Sequence, residues 1–363
     1  MATADGTWSY RERFGECFGR TYFRRFPPGV CSSIGIGTYL GEPTDAVDDQ
    51  YRAAIELALD HGINHVDTAV NYRCQRSERV VGEALSAADV DREAVVVSTK
   101  GGFVPFDDHR PSDPGSYVRE QYVEPGVVDP DSLVRGSHSL DPSFIDAMVD
   151  QSLANLAVET IDCYYLHNPE TQLLAVDREA LYDQLEAAFE LLERRRAAGD
   201  IGVYGLATWQ AFRVPESHQQ YLSLPEVLSR AQAAAETVGA AESHGLRAIQ
   251  LPFNVDMADA FTVKSQPTDD GRVSALEYAH DAELSVVTSA SIGQGDLAAV
   301  IPPAVDAELS GDTAAQRAIN FARSAPGVTC SLVGMRSVDH VAENVAAGTF
   351  DPLGASAFDT VFE

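Results

Sequence analysis

The stretch 93-EAVVVSTKGG-102 decides how the chain is read. Its consecutive valines are apolar and β-branched, so 94–100 reads as a short strand buried on both faces. The strand stops at Lys100 and two glycines. The chain has 26 basic residues, and only Lys100 and Lys264 are lysines; the other 24 are arginines. One of two lysines therefore stands at the mouth of a buried strand.

The same pattern extends in both directions. Upstream, 32–38 and 63–69 read as strands. Helices follow them at 45–62, which ends on a glycine, and at 77–88, with Ser77 as a cap. Downstream, 101–140 is rich in Pro, Gly, Asp and Ser. It is too long for an ordinary connection and reads as a lid or a disordered insertion. Alternation then resumes. Helices are expected at 141–157, 178–199, 224–245, 273–282, 312–325 and 337–348. Strands are expected at 160–167, 201–209, 247–255, 284–291 and 328–334. Arg194, Arg195 and Arg196 fall near a helix C-terminus, where the dipole favours cations, so the run reads as structural.

Eight strand-then-helix units imply parallel strands with helices outside. The fold class expected is α/β, a (β/α)8 TIM barrel with a long insertion after the third strand. One barrel domain spans 1–363, with an N-terminal extension to about 25 and a C-terminal tail from about 349. The rival is an open doubly wound sheet, whose marker is a glycine fingerprint after the first strand. Residues 35-GIGTYLG-41 miss that pattern by one place. Residues 293-GQGDLA-298 fit G-x-G-x-x-A without the acidic residue expected further on.

Composition narrows the function. A net charge of −29 argues against nucleic acid as a partner. With so little lysine, it suggests adaptation to high salt, where self-repulsion is screened. No apolar run is long enough to span a membrane, and the first 20 residues show no apolar signal segment, so the expected location is cytoplasmic. The five cysteines are scattered and form no CxxC pair, which argues against a disulfide framework and against zinc; no metal ligands are assigned.

In such a barrel the active site lies at the C-terminal strand ends. The ionisable residues there are Asp67, Lys100 and His167, with Tyr72 five residues after Asp67. Together they form an acid–base set. An ammonium beside a tyrosine favours the phenolate, and a carboxylate fixes the lysine. The tyrosine can then protonate a carbonyl oxygen as it becomes an alkoxide, with the histidine donating a hydrogen bond. The missing hydride implies a nicotinamide cofactor. Each residue also has a plain reading as a cap, a strand end or a packing group. No G-x-S-x-G elbow or HExxH motif competes, since 289-SASIG-293 fails at its first position.

These residues carry a resemblance. Over about 30–347 the chain resembles the aldo-keto reductases. Residues 35-GIGTY-39 look like that family's first strand, and 65-HVDTAVNYRCQRSERVVGEAL-85 like its Asp-Tyr signature. Residues 95-VVVSTKGG-102 and 161-IDCYYLHNPE-170 look like its lysine and histidine segments. Residues 332-LVGMRSVDHVAENVAA-347 look like its adenosine-phosphate segment. The resemblance implies NADPH, with NADH also possible. Asp67, Tyr72, Lys100 and His167 are its catalytic set. It places Thr38 and Tyr39 at the nicotinamide ribose and Gln250 at the carboxamide. Ser291, Gly293 and Gln294 would follow the pyrophosphate, and Arg336, Glu343 and Asn344 the adenosine end.

The chain departs from the pattern in places. Ala207-Thr208 stands where Ser-Asn is usual. Ser289 replaces an aromatic residue that would stack on the nicotinamide, and Gly334 replaces a phosphate-binding lysine. Arg73 and Arg76 either line the pocket and attract an anionic substrate or cap the loop.

The function expected is NAD(P)H-dependent reduction of aldehydes or ketones by a monomer or small homo-oligomer. Three alternatives stay open. They are oxidation of a sugar or alcohol in the reverse direction, a cofactor-binding regulatory subunit with little turnover, and Schiff-base chemistry on Lys100.

Overall fold

The structure is a computed structural model that describes residues 1–19, 21–240 and 243–362. Eight strands close a parallel barrel in sequence order. They are β1 (Ile34–Gly37), β2 (His65–Asp67), β3 (Val96–Gly101), β4 (Ile161–His167), β5 (Ile201–Ala207), β6 (Leu246–Pro252), β7 (Ser285–Ser289) and β8 (Val328–Gly334). β8 closes on β1 with Leu332 beside Gly35. The outer ring holds α1 (Asp45–Asp60), α2 (Arg76–Ala87), α3 (Pro142–Leu156), α4 (Arg178–Ala198), α5 (Leu224–Thr237), α6 (Ala275–Asp281), α7 (Ala314–Ser324) and α8 (Val338–Ala347). The fold is a (β/α)8 barrel, not a doubly wound sheet.

Local chemistry sets the helix ends. Asp177 caps α4 by accepting from Ala180 N at 2.9 Å, and Gly199 ends it at φ +89°. Thr313 and Gln316 form a capping box on α7. The arginine run is structural: Arg195 pairs with Asp146, Asp150 and Asp200 at 2.6, 2.8 and 2.9 Å. Ser77 is not a cap. The residue before α2 is Gln75, and Ser77 Oγ instead donates to Thr38 O at 2.8 Å, tying α2 to the end of β1. The helix expected over 224–245 stops at Thr237; positions 241 and 242 of that span lie outside the described residues.

The barrel interior is filled. Tyr165 lies inside it, where a Cβ on Gly205 would come within 2.7 Å of its ring and 2.3 Å of Ala248 O. That close approach explains the glycine in β5. A two-stranded hairpin, Phe23–Phe26 and Gly29–Ser32, leads into β1, preceded by a helix at Ala4–Phe14. Arg24 fastens the hairpin to the start of β8 by donating to Val328 O at 2.6 Å. At the other terminus a short helix, Ala355–Thr360, buries Phe358 against Phe253 and Phe321; position 363 of the expected tail lies outside the described residues.

Two segments depart from simple alternation. Residues 101–140 form a compact lobe whose ends zip together: Val104 N donates to Ser137 O and Ser139 N to Gly102 O. It contains a short helix, Pro114–Val118, and buries Val118, Tyr122 and Val128. Its elements are too short for hydrophobic periodicity to reveal. A hairpin, Lys264–Thr268 with Gly271–Ser274, stands between β6 and α6. Its sequence signal is the Asp270-Gly271 pair at the turn. Among the described residues no helix is long and apolar enough to cross a membrane.

Candidate active site

Lys100, next to last in β3, is fully buried. Its Nζ donates to Asp67 Oδ1 and, at 2.8 Å, to Thr68 O. It also lies 4.9 Å from the centre of the Tyr72 ring. Asp67 ends β2 and is held from its other oxygen by Gln250 Nε2 at 2.8 Å. His167 ends β4, with its ring edge-on to Tyr72 at 5.8 Å. The structure thus brings Asp67, Tyr72, Lys100 and His167 together at the C-terminal mouth of the barrel.

Tyr72 is delivered by a strained turn. Arg73, Cys74 and Gln75 have φ of +46°, +55° and +69°, unusual for residues with a side chain. Each such residue costs about 1–3 kcal/mol and persists only where its surroundings hold it. Arginines supply the hold. Arg73 donates to Glu42 O at 3.0 Å and pairs with Asp48 Oδ1, while Arg76 Nε reaches Asp48 Oδ2 at 2.7 Å. Arg76 also pairs with Asp45 and Asp108. Both arginines therefore clamp the turn to the start of α1, and neither lines the cavity. The pocket-lining reading of Arg73 and Arg76 is corrected: their charges are matched by acids of the chain itself.

Burial sets the protonation of the cluster. It pushes the Tyr72 phenol up, and the Lys100 ammonium only partly offsets this. Burial works against the Lys100 charge, but Asp67 and Tyr72 more than compensate, and the net shift is upward. Lys100 is therefore a charged ammonium. Burial, Lys100 and His138 push His167 well below the ordinary histidine range, so it is a neutral imidazole. A neutral imidazole can still donate one hydrogen bond.

The lobe supports His167 from behind. His138 Nε2 lies 2.7 Å from His167 O, and Gln172 Nε2 donates to His138 Nδ1 at 2.8 Å. Because the Gln172 amide can only donate there, His138 carries its proton on Nε2. Phe103 packs edge-on against both His138 and His167. Sequence reasoning missed Phe103, His138 and Trp209. The aromatic ending of "LATW" and the His within the insertion were the signals available. Trp209 is positioned by Glu170, which accepts from Trp209 N at 2.6 Å and Gln210 N at 2.8 Å.

These groups open on one cavity of about 810 Å³, within the roughly 300–1,000 Å³ usual for ligand pockets. Thr38, Tyr39, Asp67, Tyr72, Phe103, His167, Thr208, Trp209 and Gln250 line one part. Ser289, Ser291, Gln294, Gly295, Arg336, Glu343 and Asn344 line the rest. Gly293 does not line it; its place is taken by Gly295, in a left-handed turn at φ +109° after Gln294 at φ +57°. Gln250 reaches the cavity with one amide hydrogen already donated to Asp67. Thr208 Oγ1 makes one contact, to Gln250 O at 3.5 Å.

Comparison with known proteins shows the family and the fold. Residues 33–225 match the model of the aldo/keto reductase family. D-threo-aldose 1-dehydrogenase from a Pseudomonas species is 33% identical over 163 residues, 44% of each chain. The chain spans about half the length of the curated relatives it matches. Among solved structures, the holo form of an aldo-keto reductase from Bacillus halodurans superposes with a TM-score of 0.64 at 20% identity, covering 94% of this chain and 96% of that one. An aldo/keto reductase from Klebsiella pneumoniae, in complex with NADP and acetate, gives 0.61 at 18% identity, covering 94% of both. Those two likenesses concern the fold, whereas the matched family segment contains Asp67, Tyr72, Lys100 and His167 and spans more than half of the sequence. The chain belongs to the aldo/keto reductase family.

Proposed function

We propose that the chain is an NAD(P)H-dependent oxidoreductase that reduces aldehydes or ketones to alcohols. The observation that carries this reading is the buried Asp67–Lys100–Tyr72 line beside a neutral His167. Tyr72, kept protonated by burial, donates its proton to a carbonyl oxygen as that oxygen gains negative charge. Lys100 then stabilises the phenolate left behind, and Asp67 and Thr68 O keep the ammonium in place. His167 donates a hydrogen bond to the same oxygen and orients the substrate. Asp67 is itself fixed by Gln250, which makes Gln250 a positioning residue as well as a cavity wall.

A bound nicotinamide cofactor supplies the hydride. The residues present fit such a group. Arg336 is exposed on the cavity and makes no ion pair or hydrogen bond among the described residues, so its guanidinium is available to a phosphate. The Gln294–Gly295 turn leaves open space beside Gly295, where backbone N–H groups can meet an anion. Thr38, Tyr39, Thr208, Gln250, Ser289 and Ser291 would hold the nicotinamide half and the link to the phosphates. Arg336, Glu343 and Asn344 would hold the adenosine end. Arg336 tilts the preference toward NADPH.

Tyr39, Phe103 and Trp209 give the cavity an aromatic wall, with the amides of Asn71 and Asn168 beside it. That mixture suits hydroxylated, sugar-like carbonyl compounds. The lobe at 101–140 acts as the lid of one barrel domain, holding His167 through His138. The acidic charge and scarce lysine support work at high salt. Schiff-base chemistry on Lys100 is disfavoured, because a nucleophilic amine must be neutral and this one is paired.

The test mixes the protein with NADPH or NADH and a panel of aldoses, short hydroxyaldehydes and aromatic aldehydes, with Tyr72→Phe as control. Cofactor oxidation well above the control is expected. Oxidation no faster than Tyr72→Phe across the panel, with tight cofactor binding retained, would assign the chain to a regulatory role instead.

A further inference from the structure

At the opposite end of the barrel from the mouth, three side chains remote in sequence converge. Cys31 comes from the N-terminal hairpin, His65 opens β2 and Cys330 lies in β8. Their ligand-type atoms all lie within 4.8 Å of one another, and all three residues are fully buried. Nothing in the spacing of 31, 65 and 330 signals this; only closing the barrel brings the first and last of them together.

A second observation points to a ligand. His65 Nδ1 is buried without a hydrogen-bond partner, although such groups are nearly always satisfied. Its other nitrogen, Nε2, is held by Ser98 Oγ at 2.7 Å, and the ring packs on Phe26 at 5.3 Å. One ring nitrogen fixed by Ser98, with the other side of the ring turned to the Cys31 thiol, is an arrangement that suits a metal-ligating histidine. Neither Cys31 nor Cys330 is in a disulfide.

We propose that Cys31, His65 and Cys330 form a binding site for one soft, thiophilic cation, Cu⁺ by preference, that pins the N-terminal hairpin to the base of the barrel. Two thiolates and an imidazole are soft donors of the kind that select Cu⁺ or Zn²⁺ over harder ions. An ion bound at about 2.0–2.3 Å needs its ligands about 4 Å apart, close to the spacing already present. The site offers three donors. Phe26, Val96, Val287 and Leu332 pack in the same apolar cluster as Cys31 and Cys330, and among the described residues no carboxylate joins the three donors. Structural zinc almost always takes four ligands, so three donors in a dry site favour Cu⁺. Arg24, which ties the hairpin to β8, places positive charge near both cysteines, which favours their ionised forms once a cation is bound. The site is separate from the reaction at the mouth, and its occupancy is a matter of stability.

The experiment refolds the full chain anaerobically with Cu⁺ or with Zn²⁺, desalts it, and measures bound metal, near-ultraviolet thiolate-to-metal absorption and Tm. The protein is expected to retain about one Cu⁺ per chain and to melt higher than the metal-free form. Cys31→Ala and Cys330→Ala should each lose the metal and the absorption band, while Cys17→Ser keeps both. Circular dichroism checks that each variant is folded. If Cys330→Ala does not fold, His65→Gln serves in its place. Retention of Zn²⁺ but not Cu⁺ would overturn the preference for Cu⁺. Failure of the parent protein to hold either metal, or equal retention in the folded variants, would overturn the site. A mass lower by two hydrogens in the isolated protein, with Cys31 joined to Cys330, would show a redox crosslink in its place.

Discussion

Lys100 shows what one residue type contributes. Arginine replaces lysine almost everywhere in this chain, yet the position between Asp67 and the Tyr72 ring keeps a compact ammonium. A planar guanidinium cannot place its charge where the compact, fully buried ammonium meets both acceptors and the Tyr72 ring. Lys100→Arg should stay folded by circular dichroism and lose turnover by about 10²–10⁴-fold, the usual range for acid–base catalysis. Near-parental turnover would reduce Lys100 to an ordinary strand end. Protonation gives a second check. With Tyr72 raised and His167 held neutral, kcat for reduction should show no inflection across neutral pH, while any alcohol oxidation should rise with pH. His138 bears on stability. Its folded pKa is pushed down by burial to about 4, below the usual 6.5. The stability gained by keeping it neutral is therefore present above pH 6.5 and lost as pH falls toward 4, worth about 3 kcal/mol in full. Melting curves of His138→Gln should be flatter than those of the parent chain over that window; parallel curves would contradict the claim. The proposed catalytic set was legible because Asp67, Lys100 and His167 lie at or next to strand ends and Tyr72 follows Asp67 by five residues. His138 was not, because it contacts the site only after the insertion folds back on β4.

At the level of elements, the turn after β2 matters most. Three left-handed residues in a row cannot persist on local preference, and the clamp of Asp48 on Arg73 and Arg76 accounts for them. Asp48→Ala leaves a buried guanidinium unpaired, which typically costs about 3–5 kcal/mol. A fall in Tm is expected, together with a larger loss in kcat than in cofactor affinity, because Tyr72 moves and the cofactor walls do not. Unchanged kcat in a destabilised Asp48→Ala would separate the clamp from catalysis. Barrel strands and helices were legible from alternation, most ends falling within two residues, but the helix expected over 224–245 stops at Thr237 and the strand expected over 247–255 at Pro252. The lobe at 101–140 and the hairpin at 264–274 were not, since short elements lack the repeats that reveal period. The two arginines illustrate the same limit. Their partners lie on α1 and in the lobe, and only the folded chain shows that the charges are already matched.

At the scale of the molecule, 55 acidic residues face 26 basic ones. The arginines gather acids in networks: Arg230 alone pairs with Glu179, Asp183, Glu186 and Glu226. The remaining negative charge repels itself until salt screens it, over a Debye length of about 10 Å at 0.1 M and about 3 Å at 1 M. Tm should therefore rise as potassium chloride is raised from 0.1 M toward molar concentrations; a falling Tm would contradict the high-salt reading. Fold and charge were both written in the sequence at this scale. The cluster of Cys31, His65 and Cys330 was hidden, because closure of the barrel is a property of no single segment. The central claim is that hydride addition to a carbonyl depends on the buried Lys100–Tyr72 pair, and isotope transfer tests it most directly. With NADPH carrying deuterium at the transferable position, the alcohol product should bear deuterium on the former carbonyl carbon. Tyr72→Phe and Lys100→Arg should form almost none. Product without deuterium from the parent protein, or equal transfer by the two variants, would contradict the account.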